Sequence, residues 1–120
     1  MTNRLAIVVA WIGALLFALG GIWALSSPHS FSTVIATYHP YNRHLFHDVG
    51  AFQLGIAAAL AAGIAGRKPL AVGLWGGAVG ATAHAASHWI DANLGPRSIG
   101  SNPVSITLIA VVLIAGLAAS

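Results

Sequence analysis

Six side chains that can bind a metal ion lie in two short runs of this sequence. They are imidazoles and carboxylates at short spacings, namely His44, His47, Asp48, His84, His88 and Asp91. Residues three or four apart lie one turn apart on the same face of an α-helix. Two imidazoles and a carboxylate on one face are typical ligands of zinc and of other divalent transition metals. The spacing therefore predicts a metal site built from two helices.

The second run continues a helix face of small residues. In a helix over 73–91, its ligands share an arc of about 120° with Gly73, Gly76, Gly77 and Gly80. On the first helix, small residues continue the direction of the histidines at Ala51, Gly55, Ala58, Ala59 and Ala62. Small residues on both partners favour close helix association in lipid. We expect the two faces to meet and to bring all six ligands together.

The composition predicts that these helices lie in a membrane. Of the 120 residues, 58% are hydrophobic and 6% are charged, whereas soluble domains carry about 25% charged residues. Apolar segments cover 5–25, 44–65, 69–93 and 104–119, and roughly 20 residues cross a bilayer. The sequence predicts a single all-α domain over 1–120, an integral membrane four-helix bundle with both termini on the same side. For the first segment a cleaved signal peptide is the alternative, although its apolar run is longer than usual for one.

Basic residues indicate the orientation of the bundle. Arg4, Arg67 and Lys68 lie on one predicted side, and Arg43 and Arg97 lie on the other. For a multi-pass protein of the cell membrane, the positive-inside rule then places both termini in the cytoplasm and the histidines on the extracytoplasmic side. The net charge of +3 comes from scattered residues, so no basic patch indicates nucleic-acid binding.

The lack of cysteine narrows the choice of metal. Without thiolates Cu(I) is disfavoured, zinc fits best, and iron, manganese and copper(II) are alternatives. Asp48 and Asp91 either bind the ion or orient the imidazoles, and His29 and His39 in the preceding loop are candidates to complete the site. Zinc would activate water against a lipid-like substrate, but a hydrolase also needs an open coordination position, so enzymatic activity stays an open question.

Two other functions fit the same residues. In the first, His47 and His84 ligate haem b from facing helices, with Arg43 and Arg97 near its propionates. In the second, the chain is a non-catalytic accessory subunit of a larger membrane complex, because four spans with short loops leave little room for a substrate domain. Its histidines would then bind a partner or respond to pH. The small-residue faces also predict a homo-oligomer.

The start of the second apolar segment carries a family resemblance. Asp48, Gly50 and Gly55 form an Asp-x-Gly-x-x-x-x-Gly pattern, and a tight basic turn and a histidine near the end of a glycine-rich segment follow it. These features resemble the DoxX-like group of small four-helix membrane proteins. The resemblance covers the second and third segments and implies a four-helix bundle.

Overall fold

The computed structural model describes residues 3–66, 70–90 and 102–120. These ranges contain no strand and form five helices, α1 (Arg4–Ser26), α2 (Pro28–Val34), α3 (Arg43–Ile64), α4 (Leu70–Ile90) and α5 (Pro103–Ala118). The all-α prediction is confirmed for them, with the short α2 as a helix beyond the four predicted. The bounds of α1, α3 and α5 lie within one residue of the predicted apolar segments. Outside the described residues lie the basic turn Arg67-Lys68, Asp91 and Arg97.

Asparagine side chains cap the N-termini of two of the longer helices, α3 and α5. Asn42 Oδ1 accepts hydrogen bonds of 3.0 and 3.3 Å from two backbone N–H groups in the first turn of α3. Asn102 Oδ1 accepts one of 3.0 Å in the first turn of α5. Such caps satisfy donors that have no partner within the helix. After α3, Gly66 adopts the left-handed conformation with φ 71°, which is the usual way for a glycine to end a helix.

The helices α1 and α3 cross at a pair of glycines. A Cβ placed on Gly21 would lie 2.9 Å from the carbonyl oxygen of Gly50, and a Cβ on Gly50 would lie 2.9 Å from the carbonyl oxygen of Gly21. Only glycine permits so close an approach of two backbones. The buried face of α3 therefore contains Gly50, and the face that carries His44 and Asp48 is turned outward.

The helix α4 runs antiparallel to α3. Only part of the glycine face of α4 packs against α3. A Cβ on Gly73 would lie 2.8 Å from the carbonyl oxygen of Ala59, and a Cβ on Gly80 would lie 3.5 Å from the Ile56 side chain. By contrast, nothing lies within 4 Å of the Cβ position of Gly76. The glycine face of α4 is thus divided between helix packing and the bundle surface.

The predicted small-residue face of α3 does not pack as a unit. Ala51, Gly55 and Ala58 are exposed, and nothing lies within 4 Å of the Cβ position of Gly55. The expected meeting of two continuous small-residue faces is therefore wrong. The physical reason is that α1 packs against the side of α3 that contains Gly50. The helix α4 therefore contacts α3 along only one edge of the predicted face, near Ala59.

Two apolar clusters hold the helices together. One joins α1, α3, α4 and α5 around Leu60, Leu74 and Leu113, which are the largest fully buried side chains of the described part. The other consists of Ala24, Phe31 and Phe46. It packs α2 against the end of α1 and the start of α3, so the polar segment after α2 is held at that end of the bundle.

By length and composition, α1 and α3 are able to cross a membrane, whereas α5 is apolar but shorter. The α4 helix, with 21 residues, contains His84 and His88. The length and apolar composition of α1 and α3 agree with the general prediction that this is a membrane protein.

Candidate histidine site

Two of the predicted metal ligands meet on α4. Nε2 of His88 lies 2.8 Å from Nε2 of His84, and the ring centroids are 4.5 Å apart. His88 is buried, with 8% of its surface exposed, whereas His84 is exposed. Their spacing of four residues places them on one helix face. The pair therefore joins the interior of the bundle to its surface.

A tyrosine from the loop after α2 contacts the other ring nitrogen of His88. The Tyr38 hydroxyl oxygen lies 3.3 Å from His88 Nδ1, and the two rings meet edge to face with centroids 6.0 Å apart. Because a neutral imidazole has one donor and one acceptor nitrogen, two proton arrangements satisfy both hydrogen bonds.

In the first arrangement, the Tyr38 hydroxyl donates to His88 Nδ1, and His88 Nε2–H donates to His84 Nε2. In the second, His84 Nε2–H donates to His88 Nε2, and His88 Nδ1–H donates to the Tyr38 oxygen. The second arrangement gives His88 the tautomer that an Nε2 metal ligand needs, with its outer nitrogen held by a hydrogen bond.

The predicted ligands on α3 form a separate group. His44 Nε2 lies 3.6 Å from Asp48 Oδ2, and their side chains are 86% and 52% exposed. His47 is half-buried, and its Nε2 is buried without a hydrogen-bond partner. An exposed contact of this kind contributes little to stability, because water screens it.

The predicted convergence of all these ligands is not found in the described part of the chain. Within residues 3–66, 70–90 and 102–120, no three His, Asp or Glu side chains gather closely enough to hold a metal ion. The crossing at Gly21 and Gly50 explains this, because it turns His44 and Asp48 to the outside of the bundle. The sixth predicted ligand, Asp91, lies outside the described residues.

A pocket of about 280 Å³ lies within α2 and the loop that follows it. Seven polar side chains line this loop pocket, namely His29, Ser32, Thr33, Thr37, Tyr38, His39 and Tyr41. His29 of α2 and His39 of the loop thus share a cavity with Tyr38, which in turn contacts His88. Sequence reasoning placed His29 and His39 near the metal site without foreseeing this cavity.

Tyr38 is the residue of the site that sequence reasoning missed. It follows α2 in a non-helical loop, so helical periodicity gives no information on its direction. The available signal was a tyrosine beside His39 in the longest polar segment of an apolar chain.

Comparisons with protein-family models, with curated proteins and with solved structures find no match for this chain. The resemblance to the DoxX-like group therefore stays a prediction.

Proposed function

We propose that this protein is a membrane-embedded helical bundle that binds a divalent transition-metal ion through His84 and His88. The observation that carries the proposal is the distance of 2.8 Å between their Nε2 atoms. Two imidazole nitrogens on adjacent turns of one helix can bind the same ion once the hydrogen bond between them is replaced by two metal–nitrogen bonds. The contact of Tyr38 with His88 Nδ1 supports it, because metal-binding histidines usually have their second nitrogen held in this way.

The nitrogen separation also bears on the identity of the ion. At a metal–nitrogen distance of about 2.05 Å, two nitrogens 2.8 Å apart subtend about 85° at the metal. Tetrahedral zinc needs an angle near 109°, and hence a separation of about 3.3 Å. Iron(II), manganese(II) and copper(II) accept angles near 90° in octahedral or square-planar sites. Every one of these ions has to replace the hydrogen bond between the two nitrogens, and zinc also requires the pair to open by about 0.5 Å.

Two imidazoles leave coordination positions to be filled. In the sequence Asp91 follows His88 by three residues, a spacing that suits a carboxylate ligand on the same helix face. Water is the natural occupant of a remaining position, and a metal-bound water has a lowered pKa that allows hydrolysis.

The exposed surface supports four membrane spans. Large apolar side chains face outward on every long helix, with Leu19 67%, Phe52 76%, Ile90 81% and Leu108 63% exposed. In water such exposure would be costly, whereas lipid accepts it. From Arg4, Arg67 and Lys68 and the positive-inside rule, we propose that both termini are cytoplasmic and that the histidine pair lies near the outer interface.

The orientation can be tested because the chain has no cysteine of its own. A single Ser120→Cys substitution marks the C-terminus without competing thiols. We expect an impermeant thiol reagent to label it only after cells are opened. Labelling in intact cells would reverse the orientation.

The metal proposal is tested by the metal content of purified protein. After chelation and dialysis against each ion, we expect about one tightly bound ion per chain. Either His84→Ala or His88→Ala should lower the affinity by 100-fold or more, because each removes one of few ligands. His44→Ala is the matched control, since His44 is a histidine paired only with exposed Asp48 among the described contacts. A metal content unaffected by all three substitutions would remove the proposal.

Ligation of haem b by His47 and His84 is a second candidate. The observation in its favour is the buried Nε2 of His47, which has no hydrogen-bond partner in the described structure and is therefore available to a ligand. A Soret band in protein from haem-replete cells that is lost in His47→Ala would support haem over a non-haem ion. A colourless preparation would dismiss it.

A further inference from the structure

We infer, on the basis of the proposed metal site, that the loop after α2 controls its metal affinity and that Tyr38 is the positioning residue. The Tyr38 hydroxyl oxygen lies 3.3 Å from Nδ1 of His88, whose Nε2 lies 2.8 Å from Nε2 of His84. The two ring nitrogens of His88 therefore have different neighbours, the loop on one side and the second metal ligand on the other. Control of the site then comes from a part of the chain outside α4.

Metal binding sets the direction of the hydrogen bond between Tyr38 and His88. A neutral imidazole carries one ring proton. When Nε2 of His88 binds an ion, this proton has to be on Nδ1, so Nδ1 donates and the Tyr38 oxygen accepts. Of the two proton arrangements open to the metal-free pair, only the one with a proton on His88 Nδ1 is compatible with an ion on Nε2.

The burial of His88 makes its contact with Tyr38 effective. Only 8% of the histidine surface is exposed, so water has little access to compete for the ring, and hydrogen bonds are stronger in such surroundings. The two rings also meet edge to face, with centroids 6.0 Å apart and an interplanar angle of 61°. The hydrogen bond and the ring contact together restrict the imidazole and keep Nε2 directed toward His84.

The position of Tyr38 depends in turn on the packing of α2. The Tyr38 backbone N–H donates to the carbonyl oxygen of Ala36 at 2.8 Å, and the Ala36 N–H donates to that of Phe31 at 3.3 Å. Ile35 and Ala36 pack against the small apolar cluster that contains Phe31. The loop is thus attached to the bundle before any ion binds, and a site that is already ordered loses less entropy on binding.

Tyr41 provides a matched control for Tyr38. It lies in the same loop and lines the same pocket, but its described ring contacts are with His29 and Phe46, at 5.3 and 5.8 Å. Tyr38→Phe and Tyr41→Phe each remove one hydroxyl and keep the aromatic ring. Only Tyr38→Phe removes the hydroxyl beside His88, so a difference between the two variants reports on that hydrogen bond.

Metal affinity is the first measurement. Full-length wild type, Tyr38→Phe, Tyr41→Phe and His88→Ala are titrated in mild detergent with zinc and, separately, with copper(II), and circular dichroism checks that each is folded. We expect Tyr38→Phe to lower the affinity about 10- to 100-fold, the usual effect of removing a group that orients a metal ligand. The loss should be smaller than in His88→Ala, and Tyr41→Phe should bind as tightly as the wild type.

Nitrogen NMR of the imidazoles separates this role from a general effect on stability. In the zinc-loaded wild type we expect His88 to bind through Nε2 and to carry its proton on Nδ1. In metal-free protein, the His88 Nδ1 signal should move in Tyr38→Phe and stay in place in Tyr41→Phe. A wild type that binds no ion would remove the proposed function and this inference with it. Equal affinities of wild type and Tyr38→Phe, or ligation through His88 Nδ1, would overturn the inference alone.

Discussion

Replacing Gly50 with alanine tests how closely α1 and α3 must approach. The added Cβ would lie 2.8 Å from Leu25 Cγ and 2.9 Å from the carbonyl oxygen of Gly21. Ordinary van der Waals contacts of a Cβ are 3.4–4 Å. The oxygen belongs to a helix backbone and cannot rotate away, so the two helices have to separate by about 0.5 Å.

The magnitude follows from this separation. A gap of about 0.5–1 Å loses roughly a quarter to a half of the dispersion attraction at each contact, and overpacking a buried position costs about 1–3 kcal/mol. Because one contact is with backbone, Gly50→Ala belongs in the upper part of that range. The higher helix propensity of alanine returns about 1 kcal/mol. We expect a net loss of about 1–2 kcal/mol in the free energy of unfolding.

Gly55→Ala is the matched control for this prediction. Gly55 lies on the same helix, but nothing is within 4 Å of its Cβ position. The only expected effect of Gly55→Ala is the higher helix propensity of alanine, which should raise the free energy of unfolding by up to about 1 kcal/mol. Unfolding by added SDS in mild detergent, followed by circular dichroism, measures both variants. Equal stabilities of Gly50→Ala and Gly55→Ala would refute the glycine crossing and the outward direction of His44 that follows from it.

Three further substitutions test separate parts of the bundle in the same unfolding assay. Asn42→Ala removes the cap of α3 and should cost about 1 kcal/mol, while a wild-type midpoint would contradict the role of its side chain. Gly116→Ala places a Cβ 2.8 Å from the Cβ of Val9, a stiff β-branched residue, and should destabilise the α1–α5 contact by about 1–3 kcal/mol. Gly20→Ala meets only the side-chain end of Gln53, whose Oε1 lies 2.5 Å from the new Cβ. That end can rotate, so Gly20→Ala should cost less than Gly116→Ala, and the reverse order would show that Gln53 is held rigidly.

The helices could be predicted from the sequence because their determinants are local. An apolar segment of about 20 residues and an asparagine cap are both read from neighbouring residues. Asn42 and Asn102 cap α3 and α5, and Gly66 follows α3 in the left-handed conformation that glycine adopts most readily.

The pairing of helix faces could not be predicted in the same way. The sequence has glycines on all four of the longer helices, and periodicity does not tell which of them meet. Gly50 lies against Gly21 of α1, and this non-local contact decides that His44 and Asp48 face outward. The prediction that His84 and His88 share a face needed only the geometry of one helix, and for that reason it holds.

The contact between Tyr38 and His88 joins residues fifty positions apart through a loop without helical periodicity. Its geometry depends on the small cluster of Phe31 and Phe46 that fixes α2. No local pattern reports on such a contact, so this part of the candidate site required the three-dimensional structure.

The central claim is that Nε2 of His84 and Nε2 of His88 bind the same metal ion. X-ray absorption at the edge of the bound metal measures this most directly, because it counts imidazole ligands and their distances. We expect at least two imidazole nitrogens at about 2.0–2.1 Å in the wild type, the same number in His44→Ala, and one fewer in His88→Ala. A wild-type spectrum without imidazole ligands, or one that His88→Ala and His84→Ala leave unchanged, would contradict the account.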